Sequence, residues 1–246
     1  MGFWSRKMAR EWDDRADKNA PLYIYTDEKF EEEFDEDFFF KSGQQDVDQT
    51  LAAMHVHPKP DWRVLDIGCG IGRLTRRLDQ LAGEAIGVDV SAGMVQKAGQ
   101  FNPGITFQQI SGVDLKLFPD NHFDFVFSFI VFQHLPRTSL VMGYLEEIER
   151  VLKPSGITVF QMKTSFHPAW KRAYWNWRRP KHRDMDRNSS TFVGCETRVG
   201  AIQEKARQLG MVTDMVLYEG SYRTYFRLSK GDPDKIKVNL DNLLNP

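Results

Sequence analysis

The chain has 246 residues, enough for one hydrophobic core with additional segments, and its 33 Lys and Arg residues nearly balance its 34 Asp and Glu residues. The formal net charge of −1 gives no overall electrostatic attraction to nucleic acid or to a membrane surface. No apolar run approaches the roughly 20 residues that a membrane-spanning helix needs, so the composition is typical of a soluble globular protein.

The two cysteines, Cys69 and Cys195, do not have the spacing of a metal site. Cys69 lies within a glycine-rich turn, where a disulfide would obstruct the backbone, so both are predicted to be free thiols in a reducing compartment. The N-terminal residues lead into charged sequence and not into the apolar segment of a secretory signal. We therefore expect no metal ion and a cytoplasmic location.

The first 60 residues are predicted to be helical. Residues 5–18 suit a polar helix that Pro21 ends. The acidic stretch 27–40 carries phenylalanines at four-residue spacing, which is typical of a helix seated on a core. Residues 46–54 are predicted to form a further helix before the first strand.

A glycine-rich turn follows the first strand. The apolar run Val64–Ile67 is broken by Gly68, Gly70 and Gly72, and a helical pattern begins at Arg73. Glycine permits backbone conformations that a Cβ would penalise, and it lets a ligand lie directly on the chain beside the free N–H groups of a helix N-terminus. A dinucleotide-binding fingerprint would need its third glycine at position 73. A glycine-rich turn without a ligand is the alternative.

A carboxylate ends the second predicted strand, Ala85–Asp89, about 20 residues beyond the first glycines. An acid at this place can accept hydrogen bonds from both ribose hydroxyls of an adenosine. Ser91 is predicted to cap the next helix, which carries Met94 in its first turn. Without the glycine-rich turn before it, Asp89 would be interpreted as an ordinary turn residue and Met94 as a core residue.

The rest of the chain continues the alternation of strands and helices, and one segment interrupts it. The predicted elements are strands at 105–111, 123–129 and 157–161, helices at 139–152 and 199–209, and a closing hairpin of strands 212–218 and 222–228. Residues 162–197 lack this regularity and mix tryptophan and tyrosine with basic residues. The segment is interpreted as a substrate cap, with a nucleic-acid surface or a packed edge insertion as alternatives.

The D-x-G-x-G-x-G pattern that begins at Asp66, together with Asp89 and the L-K-P-x-G turn of residues 152–156, resembles the class I (Rossmann-like) S-adenosylmethionine (SAM)-dependent methyltransferases. The resemblance is to their small-molecule branch, with methyltransferase domains of types 11 and 25. It implies an α/β fold: a Rossmann-like, doubly wound, seven-stranded, mostly parallel sheet with an antiparallel last strand. As a single domain, the chain would comprise an N-terminal helical cap (1–60), a SAM-binding core (61–161), the insert after strand five (162–197), a C-terminal helix and hairpin (198–230) and a tail (231–246).

The resemblance implies S-adenosyl-L-methionine as cofactor and S-adenosylhomocysteine as product. The implied cofactor-binding residues are Asp66, Gly68, Cys69, Gly70, Gly72, Asp89, Val90, Met94, Val113, Asp114, Ser128, Phe129 and Gln133. The family's usual Gly-Asp dipeptide after strand three is absent here, so the contact to the adenine edge falls on either Val113 or Asp114.

Candidates for the acceptor end are fewer. His134 follows the fourth strand at the sheet edge where α/β proteins place ligands, and it is the candidate general base. A histidine that only lines the methionine end of the cofactor is the alternative. The candidate substrate-contacting residues are Tyr23, Tyr25, Trp170, Arg172 and Tyr174.

The sequence therefore predicts an enzyme that transfers a methyl group from SAM to an oxygen or nitrogen of a small-molecule acceptor. An RNA methyltransferase and a non-catalytic SAM-binding protein are the alternatives. We expect neither a nucleic-acid nor a membrane partner, and the sequence does not indicate an oligomeric state.

Overall fold

A computed structural model describes residues 2–25, 34–164, 194–221 and 223–231. The helices are α1 (Phe3–Ile24), α2 (Glu36–Ala53), α3 (Thr75–Leu81), α4 (Ala92–Phe101), α5 (Thr138–Val151) and α6 (Val199–Gln208). The strands are β1 (Arg63–Ile67), β2 (Glu84–Asp89), β3 (Thr106–Gln109), β4 (Phe123–Ser128), β5 (Leu152–Met162), β6 (Met211–Leu217) and β7 (Thr224–Lys230). Among these residues no helix is both long enough and apolar enough to cross a membrane.

The seven strands form one sheet in the order β3-β2-β1-β4-β5-β7-β6. Strand β1 pairs in parallel with β2 on one side and with β4 on the other. Strand β7 runs antiparallel to both β5 and β6, so the other six strands share one direction. The predicted mostly parallel sheet with an antiparallel last strand is confirmed. The chain changes direction across the sheet between β1 and β4, and ligands of such folds bind at the carboxyl ends of the strands beside this point.

Helices cover both faces of the central strands, which explains their nearly continuous apolar sequence. In β4, Phe125 and Phe127 face one side and Phe123 and Val126 face the other, and all four are buried. The first side packs against residues of α2 and α3, and the second against the apolar face of α5. The carboxyl ends of β1, β2 and β4 are thereby held in fixed positions.

The helix predicted at residues 5–18 ends before Pro21, but the residue at which it breaks is Asn19. The helix breaks at Asn19 (φ −167°, ψ 84°) and continues to Ile24. The Asn19 side-chain oxygen accepts a hydrogen bond from the Leu22 N–H (3.2 Å), as an N-cap does. Pro21 then lies in the first turn of a new helical segment, where its missing N–H is not needed.

The helices predicted separately in stretches 27–40 and 46–54 differ from those observed. Helix α2 runs without interruption from Glu36 to Ala53, and Asp35 caps it by accepting the Phe38 N–H (2.9 Å). Residues 26–33 lie outside the described part of the chain. Gly43 lets the middle of α2 approach the loop after β1, because a Cβ there would stand 2.4 Å from the Arg73 carbonyl oxygen.

The L-K-P-x-G turn predicted before strand five lies within β5. Leu152 already pairs with Phe123, and the register shifts before Ile157 pairs with Phe125. Ser155 has a φ of 65° in this irregular part, so the residues predicted to form a turn form a β-bulge within the strand. The other predicted strands and helices occur with ends shifted by one to a few residues.

Candidate active site

The loop between β1 and α3 is folded onto the end of β2. The N–H groups of Gly68 and Cys69 both donate to the Val88 carbonyl oxygen (2.7 and 3.0 Å). Gly68, Gly70 and Gly72 have φ values of 76°, 55° and 84°, in the left-handed region that favours glycine. This conformation exposes the loop backbone at the carboxyl edge of the sheet.

The first and second glycines of the loop also keep space open that a side chain would fill. A Cβ on Gly68 would stand 2.3 Å from a methyl carbon of Val131, and one on Gly70 would stand 2.7 Å from the end of Ile24. Gly72 faces away from the cleft, because its Cβ would meet the Asn102 amide at 2.4 Å. Gly68 and Gly70 therefore form a backbone floor for a ligand, whereas Gly72 serves packing.

Asp89 lies at the end of β2 with its carboxylate against this loop. One oxygen accepts the Gly70 N–H (3.0 Å) and the other accepts the Ser91 N–H (2.9 Å). Burial raises the pKa of Asp89 to about 6, and these backbone donors oppose the rise. A carboxylate in this position is suited to accept hydrogen bonds from a ribose.

Asp66, the other acid of the motif, lies below the loop. It is 1% exposed, and its carboxylate accepts a hydrogen bond from the Thr75 hydroxyl (2.6 Å) at the start of α3. Burial raises the pKa of Asp66 to about 7, with the Thr75 hydrogen bond opposing the rise. Its contacts hold the loop to α3, and it does not line the cleft.

A cleft opens over Gly70 and Asp89 at the carboxyl edge of the sheet. The residues predicted for the site that line it are Tyr23, Gly68, Gly70, Asp89, Val90, Met94, Phe129 and His134. The predicted residues that lie outside its lining are Tyr25, Asp66, Cys69, Gly72, Val113, Asp114, Ser128 and Gln133. Trp170, Arg172 and Tyr174 fall outside the described residues. Ser128 donates its hydroxyl hydrogen to the Ile67 carbonyl (3.0 Å), which makes it part of the framework below the cleft.

Eight lining residues were not predicted from the sequence, namely Met8, Trp12, Ile24, Ile67, Ile110, Gly112, Leu135 and Tyr144. Ile130 and Val131 also line the cleft, and they belong to the segment 128–133 that is expected near the methionine part of the cofactor. The first three of the eight come from α1, so the N-terminal helix forms a wall of the cleft. The four-residue spacing of Met8 and Trp12 indicates a shared helix face, but only the tertiary structure shows what that face covers.

Polar contacts fix α1 over the cleft. The Asp13 carboxylate accepts hydrogen bonds from the Ser91 hydroxyl (2.6 Å) and from the Gly93 N–H (3.1 Å) at the start of α4. Near Gly112, whose φ is 76°, a Cβ would stand 3.2 Å from the terminal carbon of Met8. Helix α1 is thus anchored at the end of the cleft formed by β2 and β3.

The opposite end of the cleft is formed by the segment after β4. Ile130 has a φ of 59°, a strained value for a β-branched residue, and its N–H donates to the Gln161 side-chain oxygen (3.0 Å). His134 follows in a short 3-10 helix, and its ring meets the Trp12 indole edge-on at a centroid distance of 5.7 Å. This end therefore presents an imidazole among apolar side chains.

The arrangement can hold an adenosyl ligand. A glycine backbone floor, a carboxylate at the next strand end and apolar walls match a ribose, a purine and a short polar chain. Among the described residues no cluster of three or more histidine, cysteine or acidic side chains has metal-binding geometry. The strand order and the β7 position, together with this site, define the class I methyltransferase fold.

Residues 65–160 match the family model of a methyltransferase domain. The matched part of the chain is thus similar to a methyltransferase domain, and the fold is the one found in class I SAM-dependent methyltransferases.

Two curated relatives are similar over this region. A sterol 24-C-methyltransferase from Gibberella zeae is 34% identical over 111 residues, which cover 43% of this chain and 28% of the relative. A demethylmenaquinone methyltransferase from Symbiobacterium thermophilum is 38% identical over 128 residues, which cover 47% of this chain and 48% of the relative. The chain thus spans less than half the length of these relatives.

The fold resembles that of a solved structure over most of the chain. The magnesium protoporphyrin IX methyltransferase of Synechocystis PCC 6803, crystallised with bound SAH, has a TM-score of 0.63 to this chain at 17% identity. The match covers 92% of this chain and 99% of that one. At this identity the likeness concerns the fold.

Proposed function

We propose that the protein binds SAM in this cleft and transfers its methyl group to an oxygen or nitrogen of a small-molecule acceptor. The observation that carries the proposal is the pairing of the Gly70 backbone with the Asp89 carboxylate at the point where the sheet changes direction. This combination suits a nucleoside that is joined to a second polar group.

Each end of the cleft would receive one part of the cofactor. Asp89 accepts hydrogen bonds from the ribose hydroxyls, and Val90 and Gly112, which contact each other, border the space for the base. The Gly68 and Gly70 backbone meets the methionine part. The bound cofactor supplies an activated methyl group on a sulfonium sulfur, and it leaves as a neutral thioether.

The residues after β4 would form the acceptor end. Phe129, Val131 and Leu135 exclude water from it and align an apolar acceptor, and alignment alone contributes up to about 7–11 kcal/mol of barrier lowering. His134 accepts the proton of a hydroxyl acceptor. A base is needed there because a hydroxyl group is still protonated at neutral pH.

The relatives favour a small, apolar, ring-containing acceptor. Those described above are named for sterols, demethylmenaquinone and magnesium protoporphyrin IX, and the walls of this cleft are largely apolar. The sterol relative is named for methylation at carbon, so carbon is the competing acceptor atom.

The test is a transfer assay with methyl-labelled SAM. Pools of sterols, quinols, porphyrins and phenols are offered separately, with total RNA as a parallel arm. The proposal predicts label in a small-molecule product, at an oxygen or nitrogen. Label at carbon would correct the acceptor atom. Label in RNA, or SAM binding without transfer to any acceptor, would overturn the proposed function.

The role of His134 is tested separately. With a hydroxyl acceptor, His134→Gln should lower kcat by about 10²–10⁴-fold while leaving the dissociation constant for S-adenosylhomocysteine unchanged. The matched control is His122→Gln, because His122 lies outside the cleft beside Arg63 (3.3 Å). Full turnover of the His134 variant would show that another group accepts the proton.

A further inference from the structure

Tyr144 lines the cleft, and the proposed function does not yet use its hydroxyl group. The residue lies on α5, is 3% exposed and lines the cleft. Its ring packs against Phe132 at a centroid distance of 5.5 Å. Among the residues that the structure describes, none forms a hydrogen bond with its hydroxyl group. The hydroxyl group of a tyrosine that lines a cleft and has no protein partner is available to hydrogen-bond a ligand.

The direction of α5 shows which end of the cleft this hydroxyl serves. One turn further along the helix, the Glu147 carboxylate accepts the Leu115 N–H (2.7 Å). This face of α5 therefore lies along the loop that follows β3. The same loop contributes Gly112 to the cleft, in contact with Val90. Tyr144 therefore lies between this loop and Phe132 of the segment after β4.

The charge around Tyr144 keeps its hydroxyl neutral. Burial raises the pKa of Tyr144 far above its ordinary value, and the nearby Asp89 and Asp114 raise it further. A neutral phenol can both donate and accept a hydrogen bond. The adenine edge offers both complements, since its exocyclic amine donates and the adjacent ring nitrogen accepts.

Asp114, one of the two residues expected from the sequence to contact this edge, forms an ion pair with Lys116. Its carboxylate lies 3.6 Å from the Lys116 ammonium and accepts the Lys116 N–H at 3.4 Å. It also lies outside the lining of the cleft.

We infer that the Tyr144 hydroxyl hydrogen-bonds the edge of adenine that carries the exocyclic amine. This inference rests on the proposed binding of SAM and names Tyr144 as a specificity-determining residue for the base. The residue recognises the cofactor and takes no part in methyl transfer.

The test measures dissociation constants by calorimetry for two probes: S-adenosylhomocysteine and its analogue with hydrogen in place of the exocyclic amine. Tyr144→Phe removes only the hydroxyl oxygen. It should weaken binding of S-adenosylhomocysteine by about 3- to 12-fold, the effect of one net hydrogen bond. Binding of the analogue should change by less than about 2-fold, because its partner group is already absent.

The control is Tyr225→Phe, the same chemical change at a half-buried tyrosine outside the cleft, which should alter neither constant. Equal weakening of both probes by Tyr144→Phe, or no weakening of either, would overturn the inference while leaving SAM binding intact. Failure of the unaltered protein to bind S-adenosylhomocysteine would overturn the proposed function and this inference together.

Discussion

The two ends of the cleft are built from different parts of the polypeptide. At the β1–β2 end, the lining consists of the Gly68 and Gly70 backbone and a single carboxylate, Asp89. At the β4 end, the lining consists of side chains, with the imidazole of His134 among apolar groups. The first end is set by backbone conformation and the second by the packing of side chains from distant segments.

We propose that the backbone part of the lining binds the cofactor and that the side-chain part selects the acceptor. Exposed backbone can contact the part of a cofactor that is the same for every acceptor, and it needs glycine at fixed positions. A side-chain wall is altered by single substitutions without a change of fold. The four predictions that follow test this division in decreasing order of expected effect.

Removing the backbone floor should have the largest effect. Gly70→Val should weaken binding of S-adenosylhomocysteine by more than about 100-fold, because valine is strained at a φ of 55° and its side chain enters the cleft. Calorimetric titration measures the constant, and thermal unfolding checks the fold.

Gly210→Val is the matched control for backbone strain. Gly210 has a φ of 70° and no atom within 4 Å of an added Cβ, and it lies outside the cleft. This variant should lose stability but keep its affinity. If both variants lose affinity to the same degree, strain and not the cleft explains the Gly70 result.

The two acids of the motif should behave differently. Asp89→Asn should weaken binding of S-adenosylhomocysteine by about 10- to 100-fold, because a charge-assisted hydrogen bond to the ribose is lost. Asp66→Asn should change it by less than about 3-fold, since Asp66 binds Thr75 below the loop. Equal losses in the two variants would contradict the assignment of Asp89 as the residue in contact with the ligand.

The same two acids should make the free energy of unfolding depend on pH. Their pKa values in the folded protein, about 7 for Asp66 and about 6 for Asp89, exceed the ordinary value of 3.8. The folded state therefore holds these protons more tightly than the unfolded chain. Stability from each acid is present at low pH and is lost as the pH rises through its folded pKa, by up to about 1.4 kcal/mol per pH unit.

Urea unfolding between pH 4 and pH 8 measures this dependence. In the unaltered protein, Asp66 should lower the free energy of unfolding from pH 4 to about pH 7, and Asp66→Asn should remove this decrease. Asp89 should lower it only up to about pH 6, and Asp89→Asn should remove that decrease. Identical pH profiles for the two variants would contradict the burial of these carboxyl groups. So would a free energy of unfolding that rises with pH in the unaltered protein, if either substitution abolishes the rise.

The anchoring of α1 should have the smallest effect. Asp13→Ala removes the acceptor for the Ser91 hydroxyl and the Gly93 N–H, so it should weaken binding of S-adenosylhomocysteine by about 2- to 10-fold. Asp14→Ala, an exposed neighbour on the same helix, is the control and should have no effect. An unchanged affinity after Asp13→Ala would mean that α1 covers the cleft without contributing to binding.

The sequence predicted the elements whose signals are local. The glycines after β1 and the acid at the end of β2 identify the β1–β2 end of the cleft, because a strand, a turn and a helix follow one another within about 25 residues. The apolar sequence of β4 likewise identifies a central strand. These features need no knowledge of distant contacts.

The remaining parts depend on which helix faces meet. Tyr144 has the spacing of an ordinary core residue on α5, and only the tertiary structure shows that it lines the cleft. Pro21 is a helix breaker in most contexts, but Asn19 converts it into the start of a new helical segment. Asp66 and Asp89 look equivalent in sequence and differ because one lies under the loop and the other beside it.

The central claim is that this cleft binds an adenosyl cofactor, and a calorimetric titration with SAM, S-adenosylhomocysteine and NADH tests it most directly. We predict micromolar binding of both adenosyl ligands and no detectable binding of NADH. Absence of adenosyl binding, or tighter binding of NADH, would contradict the account, because the glycine loop would then be a structural turn or a dinucleotide site.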